Sequence, residues 1–358
     1  MSNWRANLAQ ITEFDEVIDV RTPAEYAEDH LPGAINCPVL SDAERVQVGT
    51  LYKQVSPFAA KKVGAALVAR NIAQHLEQHF LDKPREWKPL LYCWRGGQRS
   101  GAMTHVLRQV GWQATQLEGG YKIYRHHVVE SLAELPRHLR FRVVTGATGS
   151  GKSRLLEALA REGAQVLHLE ELAAHKGSVL GGLPDAPQPR QRCFESRLLV
   201  CLHALDATRP VYVEAESRKI GVLQLPNALL DAMRAGDCLR VEATLAARID
   251  FLLRDYAYFL AEPTHLKERL ARLKELQGNA TIARWHALID AGDWPALVSE
   301  LLRHHYDPQY LRSQDQNYAR HALASRYDTD DLSPTGVQHL ARRILAEESF
   351  ALMADAAA

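Results

Sequence analysis

One octapeptide constrains the fold more than anything else in this chain. Gly146-Ala147-Thr148-Gly149-Ser150-Gly151-Lys152-Ser153 is a complete G-x-x-x-x-G-K-S phosphate loop. The β-branched run Phe141-Arg142-Val143-Val144-Thr145 before it reads as a strand, and Lys152 to Ala160 after it reads as an amphipathic helix. Strand, glycine loop and helix in register demand an α/β sheet with a ligand at a strand's carboxyl end. The backbone at Gly146, Thr148, Gly149, Ser150 and Gly151 can then wrap a phosphate with its amides. Lys152 adds a point charge, and the Ser153 hydroxyl is available to a metal. These residues form a candidate diphosphate site, although the motif alone does not specify hydrolysis.

A second anion-shaped motif lies upstream: Cys93-Trp94-Arg95-Gly96-Gly97-Gln98-Arg99-Ser100. Lys88 to Tyr92 reads as a strand leading into it and Arg99 to Gly111 as a helix leaving it. The adjacent glycines let the loop amides fold toward the sulfur, and the helix N-terminus points at the same spot. Those amides, the helix dipole, Arg95 and Arg99 favour a thiolate and so a lowered thiol pKa. The bland reading, a buried inert cysteine, explains neither the glycines nor the arginines. Cys37, Cys193, Cys201 and Cys238 lack this setting and read as packing residues.

The remaining N-terminal pattern alternates strands and helices. Glu16 to Arg21 reads as a strand, Thr22-Pro23 opens a helix, and two helical patterns follow near 42–53 and 59–80. Gln113 to Leu117 is a further strand, closed by Gly119-Gly120. A small domain with a parallel sheet is expected over residues 1–135.

At 358 residues the chain suits more than one core. Lys plus Arg equals Asp plus Glu, at 43 each, so no overall field recruits nucleic acid and only a local basic patch could. Five unpaired-looking cysteines argue against a disulfide scaffold or a four-cysteine zinc site. No apolar run approaches the ~20 residues of a membrane helix, and no secretory pattern is seen at the start. A cytoplasmic protein with no membrane partner is expected.

In the C-terminal half, Gln165 to Leu169 and Pro210 to Glu214 read as strands beside the phosphate loop. Glu214 stands where a carboxylate often supports a metal; the alternative is a strand-end carboxylate facing solvent. Arg190, Arg192, Arg197, Arg218 and Lys219 are candidates for a local basic face toward the phosphates of a nucleic acid. Helices are expected near 244–260, 263–276, 279–290, 294–304 and 335–348, with a frayed tail from Ala351. The scattered histidines match no zinc spacing, so no metal ligands are assigned. His304-His305-Tyr306-Asp307 is a weaker RNA-facing candidate.

The N-terminal half resembles a rhodanese domain, through Ile18-Asp19-Val20-Arg21-Thr22-Pro23-Ala24-Glu25-Tyr26, His30-Leu31-Pro32-Gly33-Ala34-Ile35-Asn36 and the Cys93 loop, in that order. The resemblance implies that Cys93 carries a transferable chalcogen; Asp19 and Arg21 are better explained as scaffold. The Cys-x5-Arg spacing from Cys93 to Arg99 departs from the usual sulfurtransferase loop by one extra residue. It also looks like dual-specificity phosphatases. Spacing therefore leaves chalcogen carriage and attack on a phosphoryl group both open, and no general acid can be assigned for the latter.

Taken whole, the order of motifs resembles the bacterial tRNA 2-selenouridine synthase family. The resemblance rests on the Cys93 loop, on Leu169-Glu170-Glu171-Leu172-Ala173-Ala174-His175-Lys176-Gly177-Ser178, and on Glu214-Ala215-Glu216-Ser217-Arg218-Lys219-Ile220-Gly221. It implies a rhodanese-like domain (1–135), a P-loop NTPase-like α/β domain (139–240) and a mostly helical C-terminal region (241–358) packed on the latter. It also implies replacement of sulfur by selenium at C2 of wobble 2-thiouridine in tRNA, through an S-geranyl intermediate. Selenophosphate and geranyl diphosphate are the implied substrates, with no tightly bound cofactor and with Mg²⁺ left open. tRNA is the implied partner, and a selenophosphate-producing enzyme a candidate one. Arg95, Gly96, Gly97, Arg99 and Ser100 would hold selenophosphate beside Cys93. The competing reading is a sulfurtransferase or phosphatase fused to an ATP-dependent kinase-like domain.

Overall fold

Five short parallel strands form the sheet of the N-terminal half: β1 (Arg5–Ala6), β2 (Glu16–Asp19), β3 (Ile35–Asn36), β4 (Pro89–Tyr92) and β5 (Thr115–Leu117), in the order β1-β5-β4-β2-β3. The computed structural model describes residues 4–310, 318 and 320–357, with side chains to residue 348. All four residues of β4 are buried, which places Cys93 at the carboxyl end of a central strand. The chain divides into two units, one of Met1–Ser131 with Arg190–Val200, the other of Leu132–Pro189 with Cys201–Ala358.

Local chemistry builds the first unit much as expected. Pro23 occupies the first turn of helix Pro23–Glu28, and Thr22 and Glu25 cap each other's backbone. Helices Asp42–Gln54 and Pro57–His75 follow, the latter continuing as one wide turn over Leu76–Phe80. Ile18, Val20, Phe80, Trp87, Leu91, Met103 and Leu107 form the core between sheet and helices. Asp19 and Arg21 are scaffold: fully buried, they pair at 2.6 Å, and the Arg21 guanidinium lies 4.0 Å over the Tyr121 ring. Removing one partner of such a pair costs about 3–5 kcal/mol, because the other charge stays buried.

The Arg190–Val200 segment comes from the C-terminal half of the sequence yet belongs to this unit. The Ser196 hydroxyl and the Tyr121 hydroxyl both donate to Asp29 Oδ2, at 2.9 and 2.8 Å, and Glu195 pairs with Arg125.

In the second unit the parallel sheet consists of β6 (Arg140–Thr145), β7 (Gln165–Leu167), β8 (Pro210–Glu214), β11 (Asp237–Ala243) and β12 (Ser325–Thr329). The hairpin β9 (Lys219–Ile220) with β10 (Leu223–Gln224) stands apart from that sheet. The sheet order β12-β11-β6-β8-β7 puts β6 at its centre, with connections leaving to both sides. The phosphate loop follows β6 and so occupies the switch point where such sheets bind ligands. β11 and β12 were not expected from the sequence. β11 runs through residue 240, and β12 joins the same sheet from within the region expected to be helical. Leu155, Leu156 and Leu159 of helix Lys152–Arg161 pack in one core with Leu340, Ala341 and Ile344 of helix Pro334–Ala357. That helix extends over the stretch expected as a frayed tail, in keeping with its alanine content.

Within the His304–Asp307 candidate only His304 is exposed. His305 is only 1% exposed, and Asp307 pairs with Arg248 at 2.5 Å.

Candidate active site

Cys93 sits beneath its own loop, and the loop is held by close backbone approach. A Cβ at Gly120 (φ +58°) would lie 2.2 Å from the Cys93 carbonyl oxygen and 2.4 Å from the Gly96 nitrogen. Only glycine fits there. The amides of Tyr121 and Lys122, opening helix Gly120–Glu134, donate to the carbonyls of Cys93 and Trp94 at 2.8 and 3.0 Å.

Inside this frame the Gly97 amide and the Ser100 hydroxyl each donate to Cys93 Sγ at 3.2 Å. Burial pushes the thiol up, but the Ser100 hydroxyl and the amides of Ser100, Gly97 and Arg95 outweigh it, and the net pKa is below that of an ordinary thiol. The leading donors are thus the loop amides the sequence pointed to, joined by the Ser100 hydroxyl, ahead of the guanidinium groups it also named. Gln116, on β5, donates to Ser100 Oγ at 2.7 Å and to the Gly97 carbonyl at 2.8 Å, fixing both. Burial raises the other thiols, Cys37 to about 12 and Cys238 to about 11, with Cys193 and Cys201 also moved upward.

A cavity of about 650 Å³ opens over the loop, lined by Glu25, Arg45, Cys93, Trp94, Arg95, Gly97, Gln98 and Arg99. Arg99 donates from both terminal nitrogens to the Glu25 carboxylate, at 2.6 and 3.2 Å, so its charge is shared. Arg95 and Arg45 are exposed and have no ion-pair partner among the described residues. Arg45 comes from helix Asp42–Gln54, and no local pattern marked it.

The phosphate loop of the second unit has the expected shape. Gly149 and Gly151 adopt φ +81° and +75°, and Gly151 opens helix Lys152–Arg161. Lys152 Nζ donates to the Gly146 carbonyl at 2.7 Å. Thr148 offers its carbonyl to Arg248 Nε at 2.9 Å, and Arg248 is anchored in turn by Asp307. Ser150 is buried, and the Ser153 hydroxyl donates to Glu170 Oε2 at 2.5 Å.

Carboxylates converge on this lysine. The Glu170 amide donates to Glu214 Oε1 at 2.7 Å, while Glu214 Oε2 is buried with no hydrogen-bond partner among the described residues. Glu214 is therefore a buried strand-end acid, and its alternative as a solvent-facing carboxylate is excluded. Burial raises its pKa to about 7, helped by the charge of Glu170 and opposed by the Glu170 amide. Glu216 is raised further by burial and by Glu170 and Glu214; burial depresses Lys152 despite these acids. Gly177 (φ +62°) lets the backbone approach both acids: a Cβ there would lie 2.7 Å from Glu170 and from Glu216.

The basic candidates are all exposed but divide between the units. Arg190, Arg192 and Arg197 belong to the first; Arg218 and Lys219 lie in and beside the β9–β10 hairpin of the second. Arg190 approaches Glu28 at 3.9 Å, and Arg218 donates to Asn227 at 2.8 Å.

Comparison with known proteins finds a separate family for each half of the sequence. Residues 4–127 match the Rhodanese-like domain family, and residues 139–266 the family described as tRNA 2-selenouridine synthase AAA domain. A tRNA 2-selenouridine synthase of Nitrosomonas europaea is 39% identical over 244 residues, 67% of this chain and 63% of that protein. The synthase of Shewanella halifaxensis is 32% identical over 333 residues, 85% of this chain and 90% of the relative. The chain belongs to the tRNA 2-selenouridine synthase family.

Cys93 and its cavity fall within the rhodanese-like part of this synthase family member, and the phosphate loop and Glu214 within its AAA part. Gln116, Arg45 and the Glu25–Arg99 pair were missed by sequence reading, because each reaches its site from a distant element. Among the described residues no helix of this family member is long and apolar enough to cross a membrane.

Proposed function

We propose that this enzyme exchanges sulfur for selenium at C2 of wobble 2-thiouridine in tRNA, using one site per step. At the phosphate loop the thiocarbonyl sulfur of the base attacks C1 of geranyl diphosphate; the S–C bond forms as the C–O bond to diphosphate breaks, and the N3 proton of the base passes to water. Lys152 and the loop amides take up the charge that develops on the departing diphosphate. Alkylation makes the sulfur a far better leaving group. Selenium from selenophosphate, held in the Cys93 cavity, then displaces geranyl thiol at C2.

The observation that carries this reading is the Cys93 cavity: a thiol of lowered pKa under loop amides, beside two unpaired arginines, Arg95 and Arg45. That is a receptor for a small anionic donor. Selenophosphate suits it in size and charge, and both family relatives are named for selenouridine synthesis.

The oxygen donors near Lys152 fit Mg²⁺. The unpartnered Glu214 oxygen and the Ser153 hydroxyl would share it with the diphosphate, the usual habit of an ion that takes few protein carboxylates. When bound it would help neutralise diphosphate. tRNA is the macromolecular partner in this reading, with Arg190, Arg192, Arg218 and Lys219 available to its phosphates. A cytoplasmic location and supply by a selenophosphate-producing enzyme complete it.

Mass spectrometry of wobble nucleosides tests the scheme, after incubation of 2-thiouridine tRNA with geranyl diphosphate and selenophosphate. Cys93→Ala is expected to stop selenation and leave S-geranylation; Lys152→Ala is expected to weaken geranylation. Geranylation lost in the first variant and intact in the second would reverse the assignment.

A further inference from the structure

Selenium stands at the selenide level in selenophosphate and again in the selenocarbonyl of the proposed product, so the exchange moves no electrons overall. Holding selenium on Cys93 as a selenosulfide would require its oxidation and later reduction, or departure of phosphorus as phosphite. The reactants name no oxidant for the first route.

We infer that Cys93 attacks the phosphorus of selenophosphate, not its selenium. This rests on the reading of the Cys93 cavity as the donor site. Selenophosphate enters with its proton on selenium; the Sγ–P bond forms as the P–Se bond breaks, and selenium leaves with the bonding pair and that proton as the hydrogen selenide anion. Cys93 is left as phosphocysteine. Water then attacks phosphorus, the S–P bond breaks with its electrons returning to sulfur, and phosphate departs. Hydrogen selenide adds to C2 of the S-geranyl base. The C–Se bond forms, the C–S bond breaks onto sulfur, the selenium-borne proton passes to N3, and geranyl thiolate takes a proton from water.

Three features of the cavity fit a phosphoryl acceptor. The Cys-x5-Arg loop presents amide donors around Sγ, with Gly97 N–H at 3.2 Å. Arg95 and Arg45 stand unpaired beside it, as a trigonal, multiply charged phosphoryl group requires. The third feature is what the wall lacks.

Displacing an alkoxide from a phosphate ester needs a general acid. Among the described residues Glu25 is the single carboxyl on the cavity wall, and Arg99 grips both of its oxygens, at 2.6 and 3.2 Å. Burial alone would raise its pKa, but the hydrogen bond and charge of Arg99 hold it below the usual carboxylate range, so it stays ionised. The hydrogen selenide anion is stable and leaves with the proton selenium brought, taking none from the protein. An acid-free cavity therefore suits a phosphoroselenoate and disfavours an alkyl phosphate.

The test uses full-length protein with selenophosphate radiolabelled on phosphorus in one arm and on selenium in the other. Samples are quenched in neutral denaturant at successive short times and mapped by peptide. The expected result is phosphorus label on the Cys93 peptide, selenium label free in solution, and neither on Cys93→Ala that still geranylates tRNA. Selenium label on Cys93, or phosphite among the products, would overturn the inference. So would the absence of both labels from the protein at every time while S-geranyl tRNA is still selenated. Wild-type protein that never selenates S-geranyl tRNA would instead remove the donor-site reading beneath it.

Discussion

Arg99 and Glu25 meet in a two-point ion pair on the wall of the Cys93 cavity, Nη1 to Oε2 at 2.6 Å and Nη2 to Oε1 at 3.2 Å. The same carboxylate accepts from the Thr22 amide at 3.2 Å, closing the cap of helix Pro23–Glu28. One side chain thus secures a helix start and restrains an arginine of the cavity wall.

Glu25→Gln should release that restraint. Glutamine can still serve the capping box, but it no longer neutralises Arg99. Inorganic phosphate should then bind the cavity more tightly, read as stronger protection of Cys93 from alkylation. Weaker protection would show that the ion pair positions Arg99 for the anion and does not compete with it.

Cys93 should react with a small alkylating agent well before the other thiols, all of which are shifted upward by burial. Ser100→Ala removes a donor to the thiolate, so the Cys93 pKa rises. A hydrogen bond to a charged acceptor is worth about 1.5–3 kcal/mol, so alkylation near neutral pH should slow roughly tenfold or more. An unchanged rate–pH curve would mean that the amides alone set the thiolate.

Two glycines of the cradle should behave oppositely. Gly120→Ala places a methyl 2.2 Å from the Cys93 carbonyl at positive φ, whereas a Cβ at Gly97 meets nothing within 4 Å. Selenation should be lost in the first variant, with geranylation kept, and largely survive Gly97→Ala. Equal loss in both would point to chemistry at Gly97 beyond its amide.

Glu214 should make stability depend on pH. Its carboxyl has a pKa of about 7 in the fold against 4.5 for a free glutamate, so the fold binds the proton more tightly than the unfolded chain does. Stability then falls as pH rises between these values and is lowest above them. Glu214→Gln removes the penalty while keeping an acceptor for the Glu170 amide. The difference in Tm between variant and wild type should be near zero at acid pH. It should grow positive above neutrality, by up to about 3 kcal/mol in stability terms. A constant difference across pH would show that Glu214 does not titrate in this range.

Much of the fold could be read along the chain. The strand before Gly146, the helix after it, the Thr22-Pro23 helix start and the strand before Cys93 are local patterns, and each formed near its expected place. β11 was legible too, since Leu239-Arg240-Val241-Glu242 alternates, but the helical pattern after it drew the boundary too early. β12 was not. Only Tyr327 of its five residues is buried, and it is a strand because β11 offers a partner.

Sequence alone determined where the two anion-shaped motifs lie, one with a cysteine at a glycine turn and one with a lysine in a phosphate loop, because both motifs are contiguous and their backbone requirements are local. Tertiary structure decided the electrostatic state of those residues. It brought Gln116 onto Ser100, Glu25 onto Arg99, and Glu170, Glu214 and Glu216 around Lys152. Burial and charge pairing depend on distances through space between elements far apart in the chain, and no local pattern encodes those distances.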